Sequence, residues 1–219
     1  MSSDNSTYQR KLFFRQFVSD FSHMGAILPS SRALARSVVA YLAQKQGPVR
    51  VLEAGAGTGA FTRDIVSLLK AGDSFDIVEI NPKLIAYLQQ RFEQEAGFQP
   101  KPGVEINFIN DDIRNIEPKT YHYIIFSLPL TNFPPSLVQE ILDFMIECLE
   151  PGGIFSYVKY IFIGRLKYLF SGPPIKASMK SNQNIIKSFA DRYQIERRSV
   201  LLNVPPTWVF YWRKPIDNE

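Results

Sequence analysis

The chain has 219 residues, a net charge of +4 and one cysteine, Cys148. That length suits a single α/β domain with a full core, and one cysteine excludes an internal disulfide. No apolar run reaches the roughly 20 residues that span a bilayer, and the opening MSSDNSTY has no apolar secretory core, so a cytoplasmic setting is expected. The charge is unevenly spread. Residues 1–50 carry seven Lys/Arg against Asp4 and Asp20, residues 51–150 carry fifteen acids against seven bases, and residues 151–190 carry six Lys/Arg and no acid. An acidic middle between basic flanks fits contact with an anionic surface, either phospholipid head groups or nucleic acid.

In chain order, Thr7 to Met24 reads as a helix. At about 100° per residue, Phe13, Phe14, Phe17, Val18, Phe21 and Met24 share one face, with Lys11, Arg15, Gln16, Ser19 and Ser22 opposite and Leu12 out of pattern. Gly25 and Pro29 end it, and Ser30 or Ser31 caps a second helix over 32–44. Strands and helices then alternate, the pattern of a parallel sheet. Strands are predicted at 49–54, 75–80, 104–109, 121–127 and 153–160, and helices at 60–70, 82–95 and 135–149. Segment 161–180 is basic, aromatic and broken by Gly-Pro-Pro. A helix at 181–192 follows, then an antiparallel strand pair at 194–203 and 207–213, parted by Pro205 and Pro206.

The most specific segment is VLEAGAGTGAFT, from Val51 to Thr62. A buried strand runs into a turn with Gly55, Gly57 and Gly59 at alternate positions, where a backbone can approach a ligand that a Cβ would obstruct. The glycines alone do not exclude a dinucleotide. Glu53, two residues before the first glycine, decides against it: a carboxylate repels a pyrophosphate but attracts a sulfonium and an ammonium. S-adenosylmethionine (AdoMet) is therefore the predicted cofactor and S-adenosylhomocysteine the product. Glu79, about 20 residues past the last glycine, is placed to accept both ribose hydroxyls, with Ile80 beside it. In the run INDDI, Asp112 is offered to the adenine amino group and Ile113 to the ring, with Asp111 as close competitor. The loop FSLPLTNFP, from Phe126 to Pro134, lies where the methyl acceptor should sit. Ser127 and Asn132 are the candidates for orienting an acceptor amine. No metal is expected.

With these pieces the chain resembles bacterial phospholipid N-methyltransferases, class I AdoMet-dependent methyltransferases related to the ribosomal RNA adenine dimethylases. The resemblance spans roughly residues 12 to 213 and rests on GAILPSS (25–31), VLEAGAGTG (51–59), NDD (110–112), LPLTNFP (128–134) and NVPPTW (203–208). Asp111 departs from it, since relatives often have Gly there. The resemblance implies an α/β, Rossmann-like seven-stranded sheet of order 3-2-1-4-5-7-6. It also implies methylation of phosphatidylethanolamine and its mono- and dimethyl derivatives toward phosphatidylcholine. On that basis Ile27, Ser30, Ser31, Leu128, Pro129, Phe133 and Trp208 are assigned to the substrate. Phe133, Tyr160 and Trp208 offer aromatic faces to methylated ammonium groups. Residues 1–24 form an amphipathic membrane-contact helix and 25–219 the catalytic domain. Arg10, Lys11, Phe13, Phe14, Arg15, Phe17 and Phe21, with Arg165 and Lys167, meet an anionic membrane, the inner face in a bacterium. No obligate protein partner is inferred.

Neither histidine is assigned as a base: His122 begins a strand at the wrong end of the sheet, and His23 nears the crevice only if the N-terminal helix folds over it. The rival acceptor is RNA adenine. Enzymes of that kind follow the fourth strand with Asn-Pro-Pro-aromatic, whereas this loop reads Ser127, Leu128, Pro129, Leu130, so nucleic acid is not the expected partner. The sequence also admits a non-catalytic AdoMet-binding membrane protein and a soluble small-molecule methyltransferase, although the latter has no need of a Phe- and Arg-rich N-terminus.

Overall fold

The structure is a computed structural model, and it describes residues 31–161 and 171–216. The expected membrane-contact helix, His23, Ile27, Ser30, Arg165 and Lys167 lie outside those residues.

Seven strands form one sheet: β1 (Arg50–Ala54), β2 (Ser74–Val78), β3 (Glu105–Ile109), β4 (Tyr121–Phe126), β5 (Leu149–Tyr160), β6 (Gln194–Val200) and β7 (Thr207–Arg213). Their order is β3-β2-β1-β4-β5-β7-β6, as anticipated. β1 to β5 pair in parallel, and β7 runs antiparallel between β5 and β6. The carboxyl ends of β1 to β5 therefore share one edge with the loop between β6 and β7.

Among the described residues, five helices flank the sheet: α1 (Arg32–Val38), α2 (Thr62–Leu68), α3 (Pro82–Gln94), α4 (Pro135–Glu147) and α5 (Pro173–Tyr193). Local chemistry sets their starts. The Ser31 hydroxyl accepts from Leu34 N at 3.1 Å to cap α1. Asn81 caps α3 through Lys83 N at 3.0 Å, with Pro82 in the first turn. On α4, Val138, Ile141, Leu142 and Met145 are buried at helical spacing and face the sheet.

The sheet separates two cores. One holds Leu52, Ile124, Phe126, Phe155, Tyr157, Trp212 and the buried faces of α4 and α5. There Trp212 lies between Phe155 and Phe189, at centroid distances of 5.2 and 6.1 Å. The other holds Val51, Phe75, Ile77, Ile125, Val209 and Tyr211 under α1 and α2.

Four boundaries differ most from expectation, and one is β6, which ends at Val200 and not at 203 because Asn203 is drawn into hydrogen bonds with the loop and with Ser31. The helix expected over 32–44 stops at Val38 and resumes as a 3-10 turn, Leu42–Gln44. β5 starts at Leu149 rather than 153, with a register break against β4 between Tyr121 and Tyr123. α5 begins at Pro173, not 181: prolines cost nothing in a first turn, whose N–H groups have no helical partner, so Gly-Pro-Pro starts a helix here. Asn182, buried inside α5, is held because its Nδ2 donates to Leu130 O at 3.2 Å and Phe133 O at 2.8 Å.

Candidate active site at the carboxyl edge

The Val51–Thr62 segment folds as its residue types require. β1 is buried along its length and gives way to a turn whose three glycines all have positive φ. Two of them serve different ends. At Gly59 (φ +86°) a Cβ would lie 2.7 Å from Leu88 Cδ2 and 3.0 Å from Phe98 Cε1, so packing of the turn on α3 excludes a side chain. At Gly57 (φ +59°) a Cβ would meet nothing within 4 Å. That position faces open space, a cradle that a side chain would fill and a ligand can use.

Two carboxylates frame the cradle. Glu53 is fully buried; its Oε2 accepts from Thr62 Oγ1 at 2.6 Å, and its Oε1 is buried with no hydrogen-bond partner among the described residues. Burial, aided by repulsion from Glu79 and opposed by Thr62, lifts the Glu53 carboxyl to about 8. An orphaned buried oxygen is costly and signals a missing partner. Glu79 accepts from Gly57 N through Oε2 and from Asn81 N through Oε1, both at 2.9 Å. Its acid is raised by burial and opposed by those N–H groups. Each Glu79 oxygen retains a second lone pair, as a diol ligand requires. Asn110 fastens the next loop to this one, its Nδ2 donating to Glu79 O at 2.8 Å. The acids, the cradle and the orphaned oxygen all fit a cationic nucleoside.

The adenine assignment needs correction. Asp112 is 1% exposed and its carboxylate forms a fork with Arg114, from Nε at 3.0 Å and Nη2 at 2.7 Å. The arginine two residues on claims it, so Asp112 pins the loop. Asp111 is half-buried and its Oδ1 accepts from Asp112 N and Asn115 Nδ2. Ile113 is spent in the core, while Ile80 is only partly covered by it.

On the acceptor side, Ser127 continues β4, its N–H donating to Ala54 O at 3.0 Å. Its hydroxyl is buried and has no partner among the described residues. Leu128 packs over Gly55, and Pro129 and Asn132 are half-buried in the same loop. Phe133 is not an aromatic wall: it is buried in the core. One face of Trp208 is taken by the Arg197 guanidinium, 5.0 Å from the ring centroid. Ser31 is engaged twice, as the cap of α1 and through its N–H to Asn203 Oδ1 at 3.0 Å. The first and last resemblance motifs thus meet. Tyr160 is half-buried at the end of β5. His122 sits at the opposite edge, its Nδ1 accepting from Arg50 N at 3.0 Å.

Lys159, in the sequence a mere interruption of an apolar run, lies near the carboxyl end of β5. It stands opposite Trp208 and two residues beyond Tyr157 on the same face. Burial pushes its ammonium pKa below the ordinary lysine value, and among the described residues no ion pair involves it. A lysine two residues past the buried run Gly153–Tyr157 is the signal by which sequence could have marked it.

Residues 51–153 match the family model for a methyltransferase domain. The fold is that of the class I AdoMet-dependent methyltransferases. One relative is the ornithine lipid N-methyltransferase of Singulisphaera acidiphila, 24% identical over 147 residues, 67% of this chain and 76% of that protein. Among solved structures, the N-methyltransferase NodS of Bradyrhizobium japonicum, in complex with S-adenosylhomocysteine, superposes with a TM-score of 0.60 at 17% identity, over 83% of this chain and 85% of that one. The magnesium protoporphyrin IX methyltransferase of Synechocystis, with the same product bound, gives 0.62 at 14% identity, over 93% and 99%. At these identities the two structures speak for the fold.

Proposed function

We propose that this methyltransferase alkylates the primary amine of a membrane lipid head group, with phosphatidylethanolamine as first substrate. The carrying observation is the buried, unpartnered Ser127 hydroxyl beside the glycine turn, in a loop without a stacking aromatic. A hydroxyl there accepts from an amine N–H and aims the nitrogen lone pair, whereas a planar nucleobase amine needs an aromatic floor. The lipid relative supports the same reading, and its name favours a second acceptor with the same chemistry, the amine of an ornithine lipid.

AdoMet brings an activated methyl group on a sulfonium, so the chain has mainly to align and desolvate. Glu53 and Glu79 hold the cofactor's charge and ribose. Ser127 would orient the amine, whose proton passes to water, toward the methyl group that AdoMet would supply. Lys159 offers a cation to the phosphate or carboxylate of the head group. Asp111 is the better candidate for the adenine amino group. Catalysis takes place at the cytoplasmic membrane surface, with the N-terminal segment as one attachment.

The test supplies labelled AdoMet with vesicles of phosphatidylethanolamine, vesicles of ornithine lipid, or RNA. Label in either lipid, and none in RNA, is the expected result. AdoMet binding with no label in lipid would refute the reading.

A further inference from the structure

We propose that the loop joining β6 to β7, residues 201–206, is a preformed wedge that enters the lipid surface and seats the crevice against it. The inference rests on the lipid reading above and names a contact which that reading does not contain.

Leu201, Leu202 and Val204 are 70%, 84% and 69% exposed. Three large aliphatic side chains within four residues, turned to water, form an exposed apolar patch that belongs to neither core among the described residues. The backbone beneath them is not loose. Asn203, between Leu202 and Val204, is 4% exposed and bonded on every side: Oδ1 accepts from Ser31 N at 3.0 Å, and Nδ2 donates to Pro205 O at 2.9 Å and Thr207 Oγ1 at 3.1 Å. Ile161 N donates to Pro206 O at 2.9 Å and ties the loop to the end of β5. The polar residue is buried and the apolar ones exposed, the reverse of an ordinary turn. The reversal fits a surface built to leave water.

The occupant follows from position and charge. β7 is antiparallel, so this loop lies at the edge where Ser127 and the glycine turn open. α5 leads directly into β6, which starts at the far edge, so its first residues point back toward the crevice edge. From Asn182, bonded to the acceptor loop, to Pro173 the helix extends about 14 Å. That stretch carries Lys176, Lys180 and the 49%-exposed Ile175, and no acid. Asp191 and Glu196, the acids nearest in sequence, belong to the far half. An apolar loop that shares its edge of the sheet with a lysine-bearing, acid-free helix start suits an anionic phospholipid bilayer better than a protein surface.

The experiment uses the full chain. Leu202→Cys is labelled with an environment-sensitive fluorophore, the native Cys148 being buried. Ile195→Cys, at the far edge and 42% exposed, is the control. On vesicles of phosphatidylethanolamine and phosphatidylglycerol, the label at 202 should shift to the blue and be quenched by nitroxide lipids, and the label at 195 should not. The L201S/L202S double variant should lose on the order of 10- to 100-fold in vesicle affinity, with AdoMet affinity and melting temperature unchanged. A label at 202 that stays in water on vesicle-bound protein overturns the proposal. So does a label buried by a second copy of the chain before vesicles are added. Methylated lipid with a water-exposed loop would sink the wedge and spare the proposed function. An inserted loop with no methylated lipid would do the opposite.

Discussion

Alanine at Gly57 and at Gly59 should damage different properties, although the residues are two apart in one turn. Both have positive φ, where an L-residue costs roughly 1–2 kcal/mol. At Gly57 that is the whole penalty, because the new methyl touches nothing. G57A should therefore melt only about 2–8 °C below the parent, given about 2–4 °C per kcal/mol at this size. Its methyl stands in the cradle, however, and overpacking by one methyl costs about 1–3 kcal/mol, or roughly 10- to 100-fold in cofactor affinity. At Gly59 the methyl meets Leu88 and Phe98, both fully buried, and the Arg91 guanidinium lies 4.0 Å from the Phe98 centroid. The ring cannot easily withdraw, so overpacking adds about 1–3 kcal/mol to the strain, for a total of roughly 2–5 kcal/mol. G59A should lose stability first and, where folded, bind S-adenosylhomocysteine within a few-fold of the parent. Calorimetric titration with the product and denaturant unfolding give both numbers for each variant. If G57A bound the product as tightly as the parent, the cofactor would not lie in this cradle.

Burial keeps a proton on folded Glu53 up to about 8 that the unfolded chain releases near 4.5, so ligand-free stability should fall as pH rises through that window and then level off. AdoMet favours the ionised form; binding at pH 6.5 should release a proton, seen by titration in two buffers of different ionisation enthalpy, and E53Q should abolish the release. S127A removes a hydroxyl with no protein partner among the described residues, so stability should change by less than about 0.5 kcal/mol. Turnover of that variant on lipid amine should drop roughly tenfold, and a drop in both or in neither would count against the assigned role. N203A strips the loop of three hydrogen bonds around a buried site and should cost about 1–3 kcal/mol in denaturant unfolding.

The alternation of strands and helices and the glycine turn were legible because each depends on local pattern: apolar runs of set length, and alternate glycines after an acid. The sheet order came only through the family resemblance, since local pattern does not fix which strands pair. The places of Glu53 and Glu79 at or just past strand ends were legible from the same runs. Side-chain pairing over short range was not. Nothing in INDDIR tells which of two adjacent acids Arg114 will take, and it takes Asp112. Phe133 shows the complementary failure, because a loop aromatic reads as available until the tertiary packing buries it. The start of α5 was hidden because Gly-Pro-Pro has the same composition in a linker and in a first turn. The exposure of Leu201, Leu202 and Val204 was hidden too, since a strand pair of that composition reads as core until Asn203 is found beneath it.

The antiparallel insertion of β7 has a consequence for descent. The family model ends at residue 153, inside β5, and β7 and β6 are added to the sheet beyond it through one ladder. The added half is held to the first by that ladder and by Asn182, which bonds Leu130 and Phe133 of the loop after β4. The glycine turn and Ser127 belong to the first five strands, and the loop proposed to enter lipid belongs to the added pair. Drift in residues 201–206 would therefore alter the proposed lipid contact while leaving the hydrogen bonds of the glycine turn intact.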